Sequence, residues 1–322
     1  MKKSPIVMLS IVAASALALT GCGTTESSAG SDSGAATVSV VDDRGETVAL
    51  KGAATKVVAL EWNAAESLVS LGVMPKGVAD VAGYGDYVKA APLDEGVTDV
   101  GGRGEPSVDA IAGLAPDLVV TTNDLADTAI KQIEKIAPVL VIRGADASDN
   151  MGQMEKNLDA IATLTGTEAE AKTLVSDMDD KIAEGKAALE AADLSGAGFA
   201  LSDNYSYNGE ITIRPFLKGA LLSDVAEKLG LVNAWTGEGD ADYGLGSADV
   251  EALTTLPADV KYLSFSSPDG DVYTGELAAN PIWTSLPFVQ SGDVYMLADG
   301  IWPFGGPASI ELFVDSVVDS LG

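Results

Sequence analysis

The chain has 322 residues, 47% of them hydrophobic and 6% aromatic, with a formal net charge of −29, one cysteine and no histidine. That much apolar material excludes a disordered chain and allows a large core, and the acidity disfavours nucleic acid and anionic lipid as partners. Without histidine there is no Ser-His-Asp or Cys-His nucleophile and no side-chain set for zinc or copper, although carboxylates alone could hold calcium or magnesium.

At the amino terminus Lys2 and Lys3 precede an apolar run from Ile6 to Leu19 that ends in Leu19-Thr20-Gly21-Cys22. The run is too short for a membrane span and is followed by small residues, so residues 1–21 read as an export signal. The Leu-Thr-Gly-Cys segment resembles a bacterial lipoprotein box, which implies cleavage before Cys22 and lipid on that residue. The alternative is a chance cysteine beside a secretory cleavage site. Loss of residues 1–21, which hold two lysines and no acid, would move the formal charge from −29 to −31. Residues 22–36, rich in Ser, Thr and Gly, are expected to form a flexible tether that leaves the protein anchored to the membrane rather than spanning it.

Beyond the tether, Thr37 to Leu50 alternates around Asp42-Asp43-Arg44-Gly45 and predicts a hairpin. Thr55 to Leu60 predicts a buried strand, Ala64 to Leu71 a helix closed by Gly72, and Gly77 to Ala79 a short strand. Asp80 to Asp86, with two glycines, reads as a loop. Val108 to Leu114 and Thr128 to Ile136 read as helices, and Leu118 to Val120 and Val139 to Ile142 as strands. Short apolar strands alternating with helices predict parallel α/β units over residues 37–149.

Residues 150–192 form the longest helical pattern. Met151, Met154, Leu158 and Ile161 recur at helical spacing, and after Gly166 the pattern resumes with Leu174, Met178, Ile182 and Leu189. Two helices follow, the first ended by Gly166 in a left-handed conformation and the second started by a Thr167–Glu170 capping box. This stretch reads either as a spine between two lobes or as a helical hairpin on one of them.

Over 193–322 the alternation returns, with strands at Gly198 to Leu201, Val260 to Phe265 and Val294 to Leu297. Helices are expected at Leu217 to Leu229, Val250 to Leu256, Pro281 to Leu286 and Ser309 to Ser320. Val108-Asp109-Ala110-Ile111 with Leu114 and Asp117 lines up with Val250-Glu251-Ala252-Leu253 with Leu256 and Asp259 at an offset of 142 positions, which suggests internal duplication. Two α/β lobes joined by a helix would leave a cleft between them at the strand ends, where such folds place ligands.

Several aromatic residues fall in the segments just beyond predicted strands: Trp62, Tyr84, Tyr87, Trp235, Tyr243, Trp302 and Phe304. As a set they read as a cleft lining, although each alone could be core. Arginine occurs only at 44, 103, 143 and 214. Arg103, between Gly102 and Gly104, stands where the backbone can approach a ligand, and its planar fork suits carboxylate or hydroxamate oxygens. Arg143 and Arg214 are weaker candidates, with surface pairing as the alternative.

Val57-Val58-Ala59-Leu60-Glu61-Trp62, Gly77-Val78-Ala79-Asp80, Asp99 to Pro106, Ala115-Pro116-Asp117-Leu118, Pro281-Ile282-Trp283 with Leu286-Pro287-Phe288-Val289, and Trp302 to Pro307 together resemble the iron-siderophore substrate-binding lipoproteins of ABC importers. The resemblance covers nearly the whole chain after the signal. It implies two Rossmann-like lobes joined by a long α-helix, the helical-backbone periplasmic-binding-protein fold, with little hinge motion and delivery of a ferric siderophore to a permease and its ATPase. By this resemblance Arg103 contacts the iron-bound oxygens, and Tyr87, Trp235, Tyr243, Trp302 and Phe304 line the pocket. Asp109 and Glu251, equivalent in the internal repeat, meet basic residues of the permease; the alternative is that they are ordinary solvated carboxylates. The Thr121-Thr122-Asn123-Asp124 loop lacks the aromatics that some hydroxamate binders carry there, and tyrosine replaces tryptophan at 87 and 243.

The expected function is thus capture of a ferric siderophore of hydroxamate type by a lipid-anchored monomer. No intrinsic cofactor is expected, the iron being held by the siderophore rather than by a protein metal site. Ferric citrate ranks second as ligand, with Arg103, Arg143 and Arg214 as its counter-charges, and haem or cobalamin third. An enzyme using Asp240 and Asp242 finds no support, since the glycine fingerprints and histidines of common catalytic sites are absent.

Overall fold

The computed structural model describes residues 37–207, 210–265 and 272–322; the export signal, Cys22 and the tether lie outside them. The described residues belong to one compact unit, within which one parallel and one mostly parallel sheet build two lobes. No described helix is long and apolar enough to cross a membrane.

The first lobe begins with an antiparallel hairpin, β1 (Thr37–Val41) and β2 (Thr47–Lys51), turned by Asp42-Asp43-Arg44-Gly45 as expected. The buried Asp42 carboxylate accepts from the N–H groups of Arg44 and Glu46 at 2.9 and 3.0 Å, which satisfies the donors of the turn. A five-stranded sheet follows: β3 (Val57–Ala59), β4 (Gly77–Val78), β5 (Thr98–Asp99), β6 (Leu118–Thr122) and β7 (Val139–Ile142), all parallel in the order β5-β4-β3-β6-β7. Every residue of β3, β4, β6 and β7 is buried, because a parallel sheet is covered on both faces. Helices α1 (Trp62–Ser70), α2 (Val81–Tyr87), α3 (Val108–Leu114) and α4 (Asp127–Ile133) connect the strands.

The second lobe repeats this order. Its strands are β8 (Gly198–Tyr207), β9 (Glu210–Pro215), β10 (Val232–Asn233), β11 (Lys261–Ser264) and β12 (Val294–Met296), with β10-β8-β11-β12 parallel. That path matches β4-β3-β6-β7 of the first lobe strand for strand. The helix caps match as well: Ser107 accepts from the Ala110 N–H at 3.3 Å and Asp249 from the Ala252 N–H at 3.1 Å, the same offset of 142. The helix after Asp249, Val250–Thr255, is 3₁₀ rather than α. The remaining helices are α5 (Asn150–Thr165), α6 (Glu168–Ala191), α7 (Leu221–Lys228), α8 (Pro281–Ser285), α9 (Pro287–Ser291) and α10 (Pro307–Leu321).

Both readings of residues 150–192 hold in part. Helix α5 puts Met151 and Met154 into the second lobe's core and Leu158, Ile161, Ala162 and Leu164 into the first. Helix α6 returns, with Ala171 in the first core and Met178, Ile182 and Leu189 in the second. The hairpin is itself the bridge. Gly166 ends α5 at φ 72°, the left-handed conformation expected of it. The capping box does not form: Thr167 Oγ1 lies 2.9 Å from Thr165 Oγ1 and gives α6 no side-chain cap. Farther along α6, Gly185 lets α10 approach so closely that a Cβ there would lie 2.6 Å from Val314 Cγ1 and 2.9 Å from Leu229 Cδ2.

Two further expectations fail. The predicted loop at Asp80 to Asp86 is helix α2, started by the Asp80 carboxylate accepting from the Gly83 N–H at 3.1 Å. The predicted strand Gly198 to Leu201 runs on to Tyr207, where its distal half pairs antiparallel with β9, a strand the sequence reading lacked.

Candidate ligand-binding cleft

The site is assembled by segments that leave the C-terminal ends of strands. Glu61 and Trp62 follow β3, Arg103 follows β5, and the loop from β12 to α10 carries Trp302 and Phe304. In that loop Trp302 packs against the first lobe's core and Phe304, two residues on, against the second. Tyr87 closes α2 and Tyr243 stands between β10 and the 3₁₀ helix.

These side chains form a continuous run of rings from lobe to lobe. Tyr87 stacks on Trp62 at 5.7 Å between centroids, and Trp62 meets Trp302 edge-on at 4.8 Å. Trp302 meets Phe304 at 5.1 Å, and Phe304 meets Tyr243 at 5.1 Å. Behind them Phe216 stacks on Phe304 at 6.2 Å and joins the run to the second core. Edge-to-face and offset pairs at these distances are the favourable aromatic geometries, so the run is a stable wall.

An arginine lies over each half of the wall. The Arg103 guanidinium carbon sits 4.0 Å from the Trp62 ring centre and 5.4 Å from that of Trp302, and the Arg214 carbon sits 5.5 Å from Phe304. Each is held by a carboxylate of its own lobe. Arg103 Nη1 donates to Glu61 Oε1 at 2.6 Å, while Arg214 grips Asp203 with two nitrogens, Nε donating at 2.8 Å. Glu61 and Asp203 are again 142 positions apart, one just past and one within the equivalent strand. Burial pushes the Asp203 carboxyl above the usual range while Arg214 pulls it back. Both arginine side chains keep 35% of their surface exposed, so donors remain available.

Polar links fix the lobes beside this wall. The fully buried Glu66 carboxylate of α1 reaches the start of α10, accepting from the N–H of Gly306 at 3.0 Å, the N–H of Ser309 at 2.9 Å and the Ser309 hydroxyl at 2.8 Å. Burial raises its pKa, against the pull of those three donors. The Tyr243 hydroxyl donates to Asp124 at 2.6 Å; burial first, then Asp124, raises the phenol. Lys89 pairs with Asp299, and its N–H donates to the Gly300 carbonyl at 2.9 Å.

The structure thus brings Arg103, Arg214, Tyr87, Tyr243, Trp302 and Phe304 together over Trp62, which is itself buried in the first core as the base of the wall, its indole N–H donating to the Ala79 carbonyl at 3.1 Å. It does not do so for three other candidates. Tyr84 is fully buried, its hydroxyl donating to the Ala91 carbonyl at 2.6 Å, and therefore belongs to the core rather than the cleft lining. Trp235 is half-buried against the other face of the second sheet, its indole N–H donating to the Leu201 carbonyl at 3.0 Å, and it joins none of the ring pairs above. Arg143 is occupied by Asp146 and by Asp242 at 2.8 Å, where it ties one lobe to the other. Asp109 and Glu251 are exposed in the first turns of their helices, with no ion pair among the described residues.

Sequence reasoning missed Glu61, Asp203, Asp124 and Tyr205. Applying the offset of 142 to Glu61 would have pointed to Asp203. Tyr205, 53% exposed, follows Asp203 by two positions on β8, so strand alternation puts it on the face that carries the Asp203–Arg214 pair.

Residues 57–299 match the family model described as periplasmic binding protein. The chain is 27% identical over 267 residues to the iron(3+)-hydroxamate-binding protein FhuD of Escherichia coli K12, covering 83% of this chain and 87% of that one. It is 25% identical over 327 residues to the Fe(3+)-citrate-binding protein YfmC of Bacillus subtilis 168, covering 97% and 96%. The crystal structure of Fe3+–Desferal-bound FhuD from Vibrio cholerae shares the fold at a TM-score of 0.73 and 24% identity, over 83% of this chain and 97% of that one.

Proposed function

The chain belongs to the periplasmic binding protein family, and we propose that within it this protein is an extracytoplasmic receptor that captures a ferric siderophore of hydroxamate type for an ABC importer. The observation that carries the reading is the ring wall spanning both lobes with an arginine over each half. The bulky apolar shell of a ferric siderophore lies against such a wall, and the guanidinium donors meet the oxygens that hold the iron. The iron stays with the siderophore, and no bond is made or broken. Relatives named for ferric hydroxamate and ferric citrate support the iron cargo and leave the siderophore class to the cleft. We take Cys22 as the lipid anchor, residues 37–149 and 193–322 as lobes joined by 150–192, and Asp109 and Glu251 as the contacts of a monomeric receptor with a permease coupled to its ATPase.

Intrinsic tryptophan fluorescence tests the reading, because Trp62 and Trp302 stand in the wall. Titration with a ferric trihydroxamate is expected to quench saturably, and Arg103→Ala to weaken binding by roughly tenfold or more. A response to ferric citrate alone would replace the hydroxamate reading with the citrate one.

A further inference from the structure

Each wall arginine meets a carboxylate, Arg103 with Glu61 and Arg214 with Asp203; away from the wall Arg143 is held by Asp146 and Asp242, while Asp124 accepts only from the neutral Thr122 and Tyr243 hydroxyls. No basic side chain pairs with Asp124 among the described residues, and it is exposed at the rim beside Tyr243. The Arg103–Glu61 pair is therefore a source of directed donors with no net charge, since the carboxylate offsets the guanidinium while its other nitrogens stay available. Arg214 and Asp203 repeat the arrangement in the other lobe. The two carboxylates stand at equivalent positions 142 apart, while their arginines come from different places, Arg103 after β5 and Arg214 within β9. At long range a formal charge of −29 adds to the same field.

We infer that the cleft selects ferric complexes of zero or positive net charge, that Glu61 and Asp203 set this selection by neutralising the two wall arginines, and that Asp124 receives a cationic arm of the ligand. The inference rests on the siderophore reading above and narrows it. A ferric trihydroxamate fits: three singly charged hydroxamates balance iron(III), and the arginine pairs then supply hydrogen bonds to an uncharged core. A polycarboxylate complex, which carries surplus negative charge, would meet wall arginines that Glu61 and Asp203 already offset.

Three probes share one iron centre and differ in their pendant arm. Ferric desferrioxamine B carries a free ammonium, its N-acetyl derivative has no net charge, and its N-succinyl derivative ends in a carboxylate. Fluorescence titration of the purified protein at low salt is expected to rank them in that order, with roughly tenfold between the cationic and anionic forms and a smaller gap at high salt. In Glu61→Gln and in Asp203→Asn the ratio of cationic to anionic affinity is expected to fall about fivefold. The ratio removes any loss of affinity common to both. Asp124→Asn should reduce only the preference for the ammonium form over the acetylated one. Equal affinity for the three complexes, or tighter binding of the succinyl form, overturns the charge selection and leaves the hydroxamate reading standing. If none of the three binds, the hydroxamate reading falls and takes this inference with it.

Discussion

Glu66 is a carboxylate that the folded protein buries completely and then surrounds with three donors at the start of a helix of the other lobe. Its folded pKa lies above the usual value of 4.5. Between that value and the raised one the native state binds more proton than the unfolded chain, so this group's contribution to stability falls as pH rises through the window and recovers as pH drops towards 4.5. Glu66→Gln keeps an acceptor for the two N–H groups and removes the titration; urea unfolding at about pH 5 and about pH 8 should show a smaller pH dependence than wild type. Glu66→Ala leaves buried donors without partners and should cost roughly 2–5 kcal/mol. At Arg103 the prediction concerns shape: Arg103→Lys keeps the charge but loses the plane stacked on Trp62, and siderophore affinity should fall by roughly tenfold in the same titration. Most of the wall was legible at this scale because Tyr87, Tyr243, Trp302 and Phe304 stand near glycines outside apolar runs. Tyr84 shares that setting and was misread, since only its contact with Ala91 reveals that it points inward.

Among the elements, glycines at helical positions divide into two kinds. Gly113 in α3 has open space around its Cβ position, and Gly113→Ala should stabilise the fold by about 0.5–1 kcal/mol. Gly185 in α6 faces Val314 and Leu229 within contact distance, so Gly185→Ala, favourable by helix propensity, should instead lose about 1–3 kcal/mol. Thermal unfolding of the two variants side by side reads the opposite signs. Four strands of the first sheet were legible because unbroken apolar runs bounded by turns leave few alternatives, whereas β5 was missed because Thr98 and Asp99 are both exposed and carry no apolar signal. Helix α2 was not, since Gly83 and Gly85 carry a loop signal that the Asp80 cap and the buried Tyr84 override. The hairpin of β8 and β9 was missed because Asp203, Asn204, Arg214 and Pro215 interrupt its alternation of apolar residues. The failed Thr167 cap shows that a capping pattern competes with other partners, here the hydroxyl of Thr165.

For the whole molecule, the duplicated arrangement was readable from one short match at a constant offset, and the structure extends it to strand order, helix caps and the two carboxylates beneath the arginines. Asp109 and Glu251 are exposed, unpaired among the described residues and related by that duplication. A permease with two-fold symmetry would meet them as a pair. Asp109→Lys and Glu251→Lys should leave siderophore binding in solution unchanged and abolish uptake of radiolabelled iron by cells. Loss of binding in either variant would remove them from a docking role.

Gly166 marks the point where the out-and-back helices turn, and severing the chain there would not separate the lobes. The amino-terminal fragment would keep Met151 and Met154 lodged among residues of the carboxy-terminal one, and the latter would keep Ala171 in the core of the former. Two separately expressed pieces that meet at this turn would each carry a helix whose residues belong in part to the other's interior. Their reassembly would rebuild the ring wall, so a bound ferric ligand would hold the halves together.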